Sequence, residues 1–214
     1  MSGQVKGRRY NSEHRQAQAR HSRQLMLRAA RDMFLTSGYA ATSVPAVARA
    51  AGVSAQSAYK AFGNKAGLLK AVFDVAIAGD DAPVPLQQRP ALSRVRDEPD
   101  PRLKLALYGQ FIADTAPRHA PIQLLAREAA ANDSGAAEIW QQLCAERLHG
   151  MTMFGQALAD AGALRPGLTG HDARDLLFTY NSPETYDLLV NHRRWSPDKY
   201  GAWIADSLTA ALLR

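Results

Sequence analysis

Apolar residues recur at intervals of three and four along most of the sequence, which is the spacing of a buried helix face. The first such run begins at Ser22 and continues to Gly38. A second run, from Val44 to Ala51, is only about two turns long. No segment shows the alternation of apolar and polar residues that is typical of a half-buried strand. The pattern therefore predicts an all-α protein.

Capping residues divide residues 42–69 into short helices. Thr42 or Ser43 can accept a hydrogen bond from the N–H groups at a helix start, and Pro45 suits the first turn because it lacks an N–H. Gly52 can end that helix in a left-handed conformation. Two short helices joined by a tight turn predict a helix-turn-helix.

The helix after the turn has a polar outer face. Ser54 can cap its start, and Gly63 can end it. The positions that continue the apolar spacing are Ala58, Tyr59 and Phe62. The positions left for the outside are Gln56, Ser57 and Lys60. This face can form hydrogen bonds with a partner.

A further helix is predicted over Lys65–Ala78, with Asn64 as its cap. Lys65 lies in the first turn, where a cation opposes the helix dipole unless an anion such as a phosphate lies in front of it. The helix is apolar on more than one side, so it should pack against two neighbours. We therefore expect it to connect the helix-turn-helix mechanically to the helices that follow.

Prolines mark a boundary after this helix. Residues 79–101 contain five prolines, and no long helix can pass through them. The predicted organisation is a basic arm over residues 1–21, a helix-turn-helix domain over 22–79 and a second domain over 80–214.

The second domain is predicted to be helical. Helix-start signals predict helices over 101–116, 121–131, 134–161, 170–192 and 197–213. Thr169 and Asp172 form a capping-box pattern at one of these starts. Pro183 must kink or split its helix, because it removes one hydrogen bond and clashes with the preceding turn.

Positive charge is concentrated in the first third of the sequence. Residues 1–79 contain 12 Lys and Arg against 3 Asp and Glu, whereas residues 80–214 contain 14 against 17. This asymmetry indicates a polyanionic partner. An anionic membrane is the alternative, but no helix carries a basic stripe opposite an aromatic face. Nucleic acid is therefore favoured.

The first 21 residues carry Lys and Arg without apolar periodicity, so we expect them to be disordered in the unbound protein. They can act as a solubilising tail. They can also act as an arm that inserts Arg into a narrow minor groove. The sequence favours neither alternative.

Composition argues against several other classes of protein. No run approaches the roughly 18 apolar residues of a membrane span, and the N-terminus lacks the apolar core of a secretory signal, so a cytoplasmic location is expected. The single cysteine, Cys144, is expected to be a buried structural thiol. Phosphate-binding glycine loops, GxSxG and HExxH are absent, and the six histidines lack metal-ligand spacing. No catalytic residue, metal or cofactor is expected.

Residues 22–78 resemble the DNA-binding domain of the tetracycline-repressor (TetR) family of regulators. The matching residues are Met26, Leu27, Ala30, Phe34, Gly38, Tyr39, Thr42, Val47, Ala48, Ala51, Gly52, Val53, Ser54, Tyr59, Phe62, Lys65, Leu68 and Leu69. The later sequence resembles an AcrR-like, actinobacterial-type branch in its helical layout and in residues 79–81 and 195–197. The resemblance implies a homodimer with a three-helix helix-turn-helix domain followed by a helical ligand-binding and dimerisation domain.

The candidate DNA-binding residues surround the second helix of the motif. They are Thr42, Ser43, Ser54, Ala55, Gln56, Ser57, Tyr59, Lys60 and Lys65. Gln56 can pair bidentately with adenine, and Lys60 can contact guanine or phosphate. The Tyr59 hydroxyl can reach phosphate. Thr42, Ser43 and Lys65 would anchor the DNA backbone without specifying sequence.

The candidate ligand-binding residues of the second domain are mostly aromatic or sulfur-containing. They are Phe111, Trp140, His149, Met151, Phe154, Phe178, Tyr180, Asn181 and Tyr186. A mostly apolar cavity with a few polar groups is the usual form of a small-molecule site. TetR-like proteins place such a cavity in this domain.

The candidate dimer-interface residues lie in the last two predicted helices. They are Leu176, Leu177, Leu188, Leu189, Trp203, Ile204 and Leu208. One helix-turn-helix contacts too few bases to be selective, so two-fold pairing on a near-palindromic operator is expected. The implied function is a repressor released from double-stranded operator DNA by a small apolar or amphipathic molecule. A DNA-binding regulator without a natural ligand and a helical protein-interaction adaptor are the alternatives.

Overall fold

The computed structural model describes the backbone of residues 4–214 and the side chains of residues 15–214. These residues form ten α-helices: α1 (Gln4–Ala41), α2 (Val44–Ala50), α3 (Ala55–Phe62), α4 (Lys65–Ala78), α5 (Pro90–Asp97), α6 (Pro101–Ala129), α7 (Ser134–Asp160), α8 (Gly170–Tyr180), α9 (Pro183–Tyr186) and α10 (Pro197–Leu212). A 3-10 turn, Leu86–Gln88, precedes α5, and a π-helical turn, Asp187–His192, follows α9. Within these residues, β-structure is limited to an isolated bridge between Leu164 and Leu213. The all-α prediction is confirmed.

The chain folds as two compact units, one ending at Val72 and the other comprising Phe73–Arg214. The division falls inside α4, whereas the sequence placed it after residue 79, where the prolines begin. Phe73 belongs to the second unit because its ring lies edge-on to His119, with the ring centroids 5.9 Å apart. Side-chain packing, rather than a break in the helix, thus decides where one unit ends.

The core of the first unit is formed by the apolar faces of its helices. Its fully buried members include Ala30, Phe34, Val47, Ala58, Leu68 and Leu69. Gly38, with φ of 82° and ψ of 168°, interrupts α1 where the sequence predicted the helix to end. The Phe34 and Tyr39 rings stack on either side of this interruption, with centroids 5.7 Å apart.

The start of α1 differs from the sequence prediction. The structure is helical from Gln4, whereas residues 1–21 were expected to be disordered. Gln, Arg and Ala are frequent in this segment, and they favour a helix even without an apolar face. Residues 1–3 and the side chains of Lys6, Arg8 and Arg9 lie outside the described part of the structure.

Helix α6 also differs from the prediction. The sequence indicated two helices separated near residues 117–120, but α6 continues through Pro117 and Pro121. An interior proline costs about 3 kcal/mol. Ala116, Ala120 and Ile122 are buried beside the two prolines, so tertiary packing of this segment outweighs the local preference.

Helices α6 and α10 approach each other at Gly109 and Gly201. A Cβ atom on either glycine would overlap the carbonyl oxygen of the other. Beside this contact, the fully buried side chains include Leu105, Ile112, Tyr200, Ile204 and Leu208. The core of the second unit is therefore organised along α6 and α10.

Local signals predicted the other helix boundaries well. Asp133 caps α7, Thr169 and Asp172 form the capping box of α8, and Ser196 caps α10. Pro183 separates α8 from α9, as expected of a residue that cannot continue the helix. Among the described helices, none combines the length and apolar character needed to cross a membrane.

Candidate nucleic-acid interface and effector site

Helix α3 is fixed at both ends by local contacts. The Ser54 Oγ accepts a hydrogen bond from the backbone N–H of Ser57 at 3.1 Å and lies 2.9 Å from the Ser57 Oγ. At the other end, Gly63 has a φ of 75°, and its N–H donates to the carbonyl of Tyr59 at 2.8 Å. The side chains of this short helix therefore have a defined orientation.

One side of α3 is buried and the other is exposed. Ala58 and Phe62 face the core. The exposed residues are Gln56, Ser57, Tyr59 and Lys60, and Ala55 is half-buried. We call these five residues the recognition surface. The apolar spacing assigned Tyr59 to the core, but 47% of it is exposed, since it lies about 100° around the helix from Ala58.

The two residues before α2 have different roles. Ser43 is exposed and caps α2, with its Oγ accepting from the Ala46 N–H at 3.3 Å. Thr42 is only 2% exposed, and its hydroxyl donates to the Gly38 carbonyl at 2.8 Å. The expected phosphate contact of Thr42 is therefore corrected to a role in the core, because closing the turn after Gly38 buries this side chain.

Lys65 connects the start of α4 to the end of α1. Its Nζ donates to the carbonyl of Ala40 at 3.2 Å and lies 4.0 Å from the centroid of the Tyr39 ring. A cation in the first turn opposes the helix dipole, and the carbonyl and the ring face compensate for that placement within the protein. From the sequence, only an anion such as a phosphate was expected to compensate for Lys65 in the first turn.

Arg23 is a residue of this region that the sequence did not identify as a partner of α3. Its guanidinium carbon lies 4.7 Å from the centroid of the Phe62 ring, and Nη1 donates to the Ala61 carbonyl at 3.5 Å. A cation near the C-terminus of α3 is favoured by the helix dipole. The contact joins residues 38 positions apart, so no local pattern could have revealed it.

A cluster of polar and aromatic groups lies in the second unit. We call it the Arg147 cluster; it consists of Tyr108, Arg147, Met151, Phe154 and Asn181. The Tyr108 hydroxyl lies 3.4 Å from the Met151 sulfur, and the Tyr108 ring is edge-on to Phe154 with centroids 5.1 Å apart. Burial raises the pKa of Tyr108, so its hydroxyl stays protonated and able to donate at neutral pH.

Arg147 reaches from α7 to the end of α8. Its Nη1 donates to the carbonyls of Phe178 at 2.7 Å and Asn181 at 2.9 Å, and its guanidinium carbon lies 3.6 Å from the centroid of the Phe178 ring. Its Nε is buried without a hydrogen-bond partner. Burial also lowers the pKa of Arg147. Because a helix leaves its last carbonyls unpaired, Arg147 stabilises the C-terminus of α8.

The structure brings most of the predicted ligand-binding residues together. Those in contact with Tyr108 or Arg147 are Met151, Phe154, Phe178 and Asn181. Those in contact with Tyr200 are Tyr180 and Tyr186. Phe111 is buried and Trp140 is half-buried. His149 is exposed, because it projects from the side of α7 opposite Arg147 and Met151.

Sequence reasoning missed the polar members of this region. Tyr108, Arg147 and Tyr200 were not predicted to belong to the site. The helical spacing of Tyr108 with Leu105 and Ile112, all three buried, was a usable signal. No local signal pointed to Arg147, because its partners at the end of α8 lie about thirty residues away. Among the side chains that the structure describes, no three His, Cys, Asp or Glu are grouped to hold a metal ion.

The predicted dimer-interface residues divide between core and surface. Leu177, Ile204 and Leu208 are fully buried within this single chain, so they belong to its core rather than to an interface. Leu188 is 58% exposed. The half-buried residues are Leu176, Leu189 and Trp203. Helical spacing alone could not separate the two groups, because α8 and α10 are apolar on more than one side.

A capped helix with an exposed polar face, placed after a short helix and a tight turn, forms a helix-turn-helix, a motif that many DNA-binding proteins use. Residues 26–72 match the sequence profile of bacterial regulatory proteins of the tetR family. The N-terminal domain therefore belongs to the TetR family. A comparison with curated protein sequences finds no match.

Solved structures share the fold over both units. NalD, the secondary repressor of the MexAB-OprM multidrug efflux pump in Pseudomonas aeruginosa, is 23% identical, with a TM-score of 0.68 over 90% of this chain and 97% of NalD. FadR from Bacillus subtilis in complex with stearoyl-CoA is 20% identical, with a TM-score of 0.68 over 86% of this chain and 96% of FadR. SmeT in complex with triclosan is 20% identical, with a TM-score of 0.66 over 90% of this chain and 92% of SmeT. The AcrR-like branch stays a prediction.

Proposed function

We propose that this protein is a transcriptional regulator, acting as a repressor, that binds operator DNA as a homodimer. The observation that carries the proposal is the recognition surface on α3. It displays an amide, hydroxyls and a cation on a helix whose ends are fixed. In the major groove, Gln56 reads adenine, and Lys60 contacts guanine or phosphate. The family of residues 26–72 supports the same function.

The distribution of charge supports DNA as the partner. The excess of Lys and Arg is confined to residues 1–79, which include the helix-turn-helix. Contacts from such residues to phosphates supply affinity that falls with salt, whereas base contacts supply selectivity. A helical protein-interaction adaptor, the alternative from another class, would show no operator affinity at physiological salt. A protein acting on DNA in this way works in the cytoplasm.

Selection of binding sites from random duplex DNA, followed by footprinting on the enriched sequence, tests the proposal. We expect a near-palindromic site with two protected half-sites, because a symmetric dimer presents two copies of α3. Failure to enrich any sequence would contradict the proposal.

A homodimer interface is proposed around the exposed Leu188. Three other predicted interface residues are half-buried: Leu189, which follows Leu188 in the sequence, Leu176 on α8 and Trp203 on α10. Sedimentation at micromolar concentration should give a dimer. A stable monomer, or an operator with a single half-site, would contradict this part of the proposal.

Release from the operator by a small apolar or amphipathic ligand in the second unit completes the proposed function. The aromatic and thioether groups around Tyr108 support it, because ligand sites are mostly apolar with a few placed polar groups. FadR and SmeT, which share the fold, were solved with stearoyl-CoA and triclosan. The alternative is a regulator without a natural ligand. Operator affinity measured with and without a saturating ligand, found by thermal-shift screening, distinguishes the two.

Helix α4 is the proposed route from the ligand to the DNA. Within the second unit, α6 holds its end, since Arg118 Nε donates to the Ala76 carbonyl at 2.9 Å and His119 contacts Phe73. At its start, Lys65 contacts α1. A ligand that displaces α6 would therefore move a helix that continues into the DNA-binding unit. A hundredfold loss of operator affinity requires a coupling of about 2.7 kcal/mol, and operator DNA must weaken ligand binding by the same factor.

A further inference from the structure

Arg147 is a half-buried cation whose contacts leave one of its donors, the buried Nε, without an acceptor. Its two hydrogen bonds both come from Nη1 and go to backbone carbonyls, while Nε is buried without a partner. The nearby carboxylate of Glu184 is engaged by Arg127 at 2.6 Å. Among the described residues, no carboxylate forms an ion pair with Arg147. Buried polar groups are normally hydrogen-bonded, so the unpartnered Nε is unusual.

A second donor in the same cluster is directed at a weak acceptor. The Tyr108 hydroxyl is directed at the thioether of Met151, 3.4 Å away, and a thioether sulfur accepts hydrogen bonds poorly. Tyr108 is 2% exposed, so water offers it little alternative. The Asn181 side chain is within hydrogen-bonding reach of the Tyr108 oxygen. The hydroxyl bond to Met151 is therefore one that a stronger acceptor could replace.

The surroundings of these donors are apolar. Phe154 lies edge-on to Tyr108, and Phe178 lies under the guanidinium. Met151 is flexible and unbranched, and such a side chain can move aside without breaking a strong hydrogen bond. A cation, a phenolic donor and aromatic walls together are complementary to an organic anion with an apolar body.

We propose that the Arg147 cluster binds the head group of an amphipathic carboxylate, with Arg147 and Tyr108 as the donors and the Met151 side chain as the group displaced. This inference rests on the proposed function, because it names the chemical class of the ligand that the second unit takes. The carboxylate supplies an acceptor oxygen for the unpartnered Nε and a stronger acceptor than the thioether for the phenol. Its apolar part packs on Phe154 and Phe178.

Matched pairs of carboxylates and primary amides test the inference on the full-length protein without DNA. The probes are octanoate, decanoate, dodecanoate and 4-phenylbutyrate, each with its amide, studied by thermal shift and calorimetry at pH 7.5. We expect at least one acid to bind ten or more times more tightly than its amide, since a hydrogen bond to a charged group is worth roughly that factor. Arg147→Gln should reduce the acid to the affinity of the amide. Arg193→Gln, which changes an exposed arginine, should leave the preference unchanged.

Two further variants keep the test decisive if Arg147→Gln fails to fold. Tyr108→Phe keeps the ring packing and should weaken binding of the acid more than binding of the amide. Arg147→Lys keeps the charge without the planar fork and should give an intermediate preference. The inference is overturned if no acid binds better than its amide. It is also overturned if the acid preference survives Arg147→Gln and Tyr108→Phe, which would leave Arg147 as a stabiliser of α8 only.

Failure of this inference is distinguishable from failure of the proposed function. Operator binding is measured separately, without any ligand, and its absence would refute the regulator while leaving the acid preference intact. Operator binding together with no preference for any acid over its amide would refute only the inference.

Discussion

His119 is a buried imidazole that should make stability depend on pH. Its Nδ1 lies 3.2 Å from the Gln123 Oε1, and burial lowers the pKa of His119 from 6.5 to about 4. Above pH 6.5 the imidazole is neutral in both the folded and the unfolded chain. Below that value only the unfolded chain binds the proton, so the free energy of unfolding falls until pH is about 4.

Urea unfolding of the wild type and His119→Gln at pH 7 and pH 5 measures this effect. Between pH 7 and pH 5, the free energy of unfolding of the wild type should fall by about 2 kcal/mol more than that of the variant, since each pKa unit corresponds to about 1.4 kcal/mol. Carboxylates whose pKa is lowered, such as Asp80 at about 2, titrate below this window. Equal losses in the two proteins would show that His119 is not held neutral by the fold.

Individual residues also show how far the sequence could predict the site. The capping role of Ser54 and the exposure of Gln56 and Lys60 were predicted correctly, because capping and exposure on a short helix are local properties; their contacts with DNA stay a prediction. Thr42 was misplaced, since its burial depends on the conformation of Gly38. The contact of Arg23 with Phe62 could not be predicted, because it depends on how α1 and α3 pack.

The contact between α6 and α10 depends on two glycines. Gly109→Ala or Gly201→Ala should lower the free energy of unfolding by about 1–3 kcal/mol, because the added methyl group meets the facing carbonyl and the helices must separate. Gly150→Ala is the matched control. Its Cβ would meet no atom within 4 Å, so it should raise stability by about 0.5–1 kcal/mol through helix propensity. Chemical denaturation measures all three, and a stabilising Gly109→Ala would show that the helices do not meet there.

Helix starts were easier to predict than helix continuity. Asp133, Thr169 and Ser196 each bond to a backbone N–H three residues on, so the signal lies within one turn of sequence. The continuity of α6 through Pro117 and Pro121 depends on burial against other helices. Likewise, the boundary inside α4 depends on Phe73 meeting His119, 46 positions away in the sequence.

The molecule as a whole combines a basic DNA-binding unit with a larger helical unit. The sequence predicted this division of charge and the all-α fold, because both follow from composition and spacing. The sequence could not separate the core residues Leu177, Ile204 and Leu208 from interface residues. An apolar helix face has the same spacing whether it packs inside its own chain or against a partner. The proposed effector site and dimer are properties of that second unit.

The recognition surface is proposed to read DNA sequence, with Gln56 as its most specific member. Equilibrium binding of the wild type and of Gln56→Ala to the selected operator and to random duplex DNA measures this role. Gln141→Ala removes an exposed glutamine of α7 and serves as the control. We predict that Gln56→Ala weakens operator binding by about 1–3 kcal/mol and leaves random DNA and the salt dependence unchanged, while Gln141→Ala changes neither. Equal weakening on both DNAs, or no weakening on the operator, would show that Gln56 does not read bases.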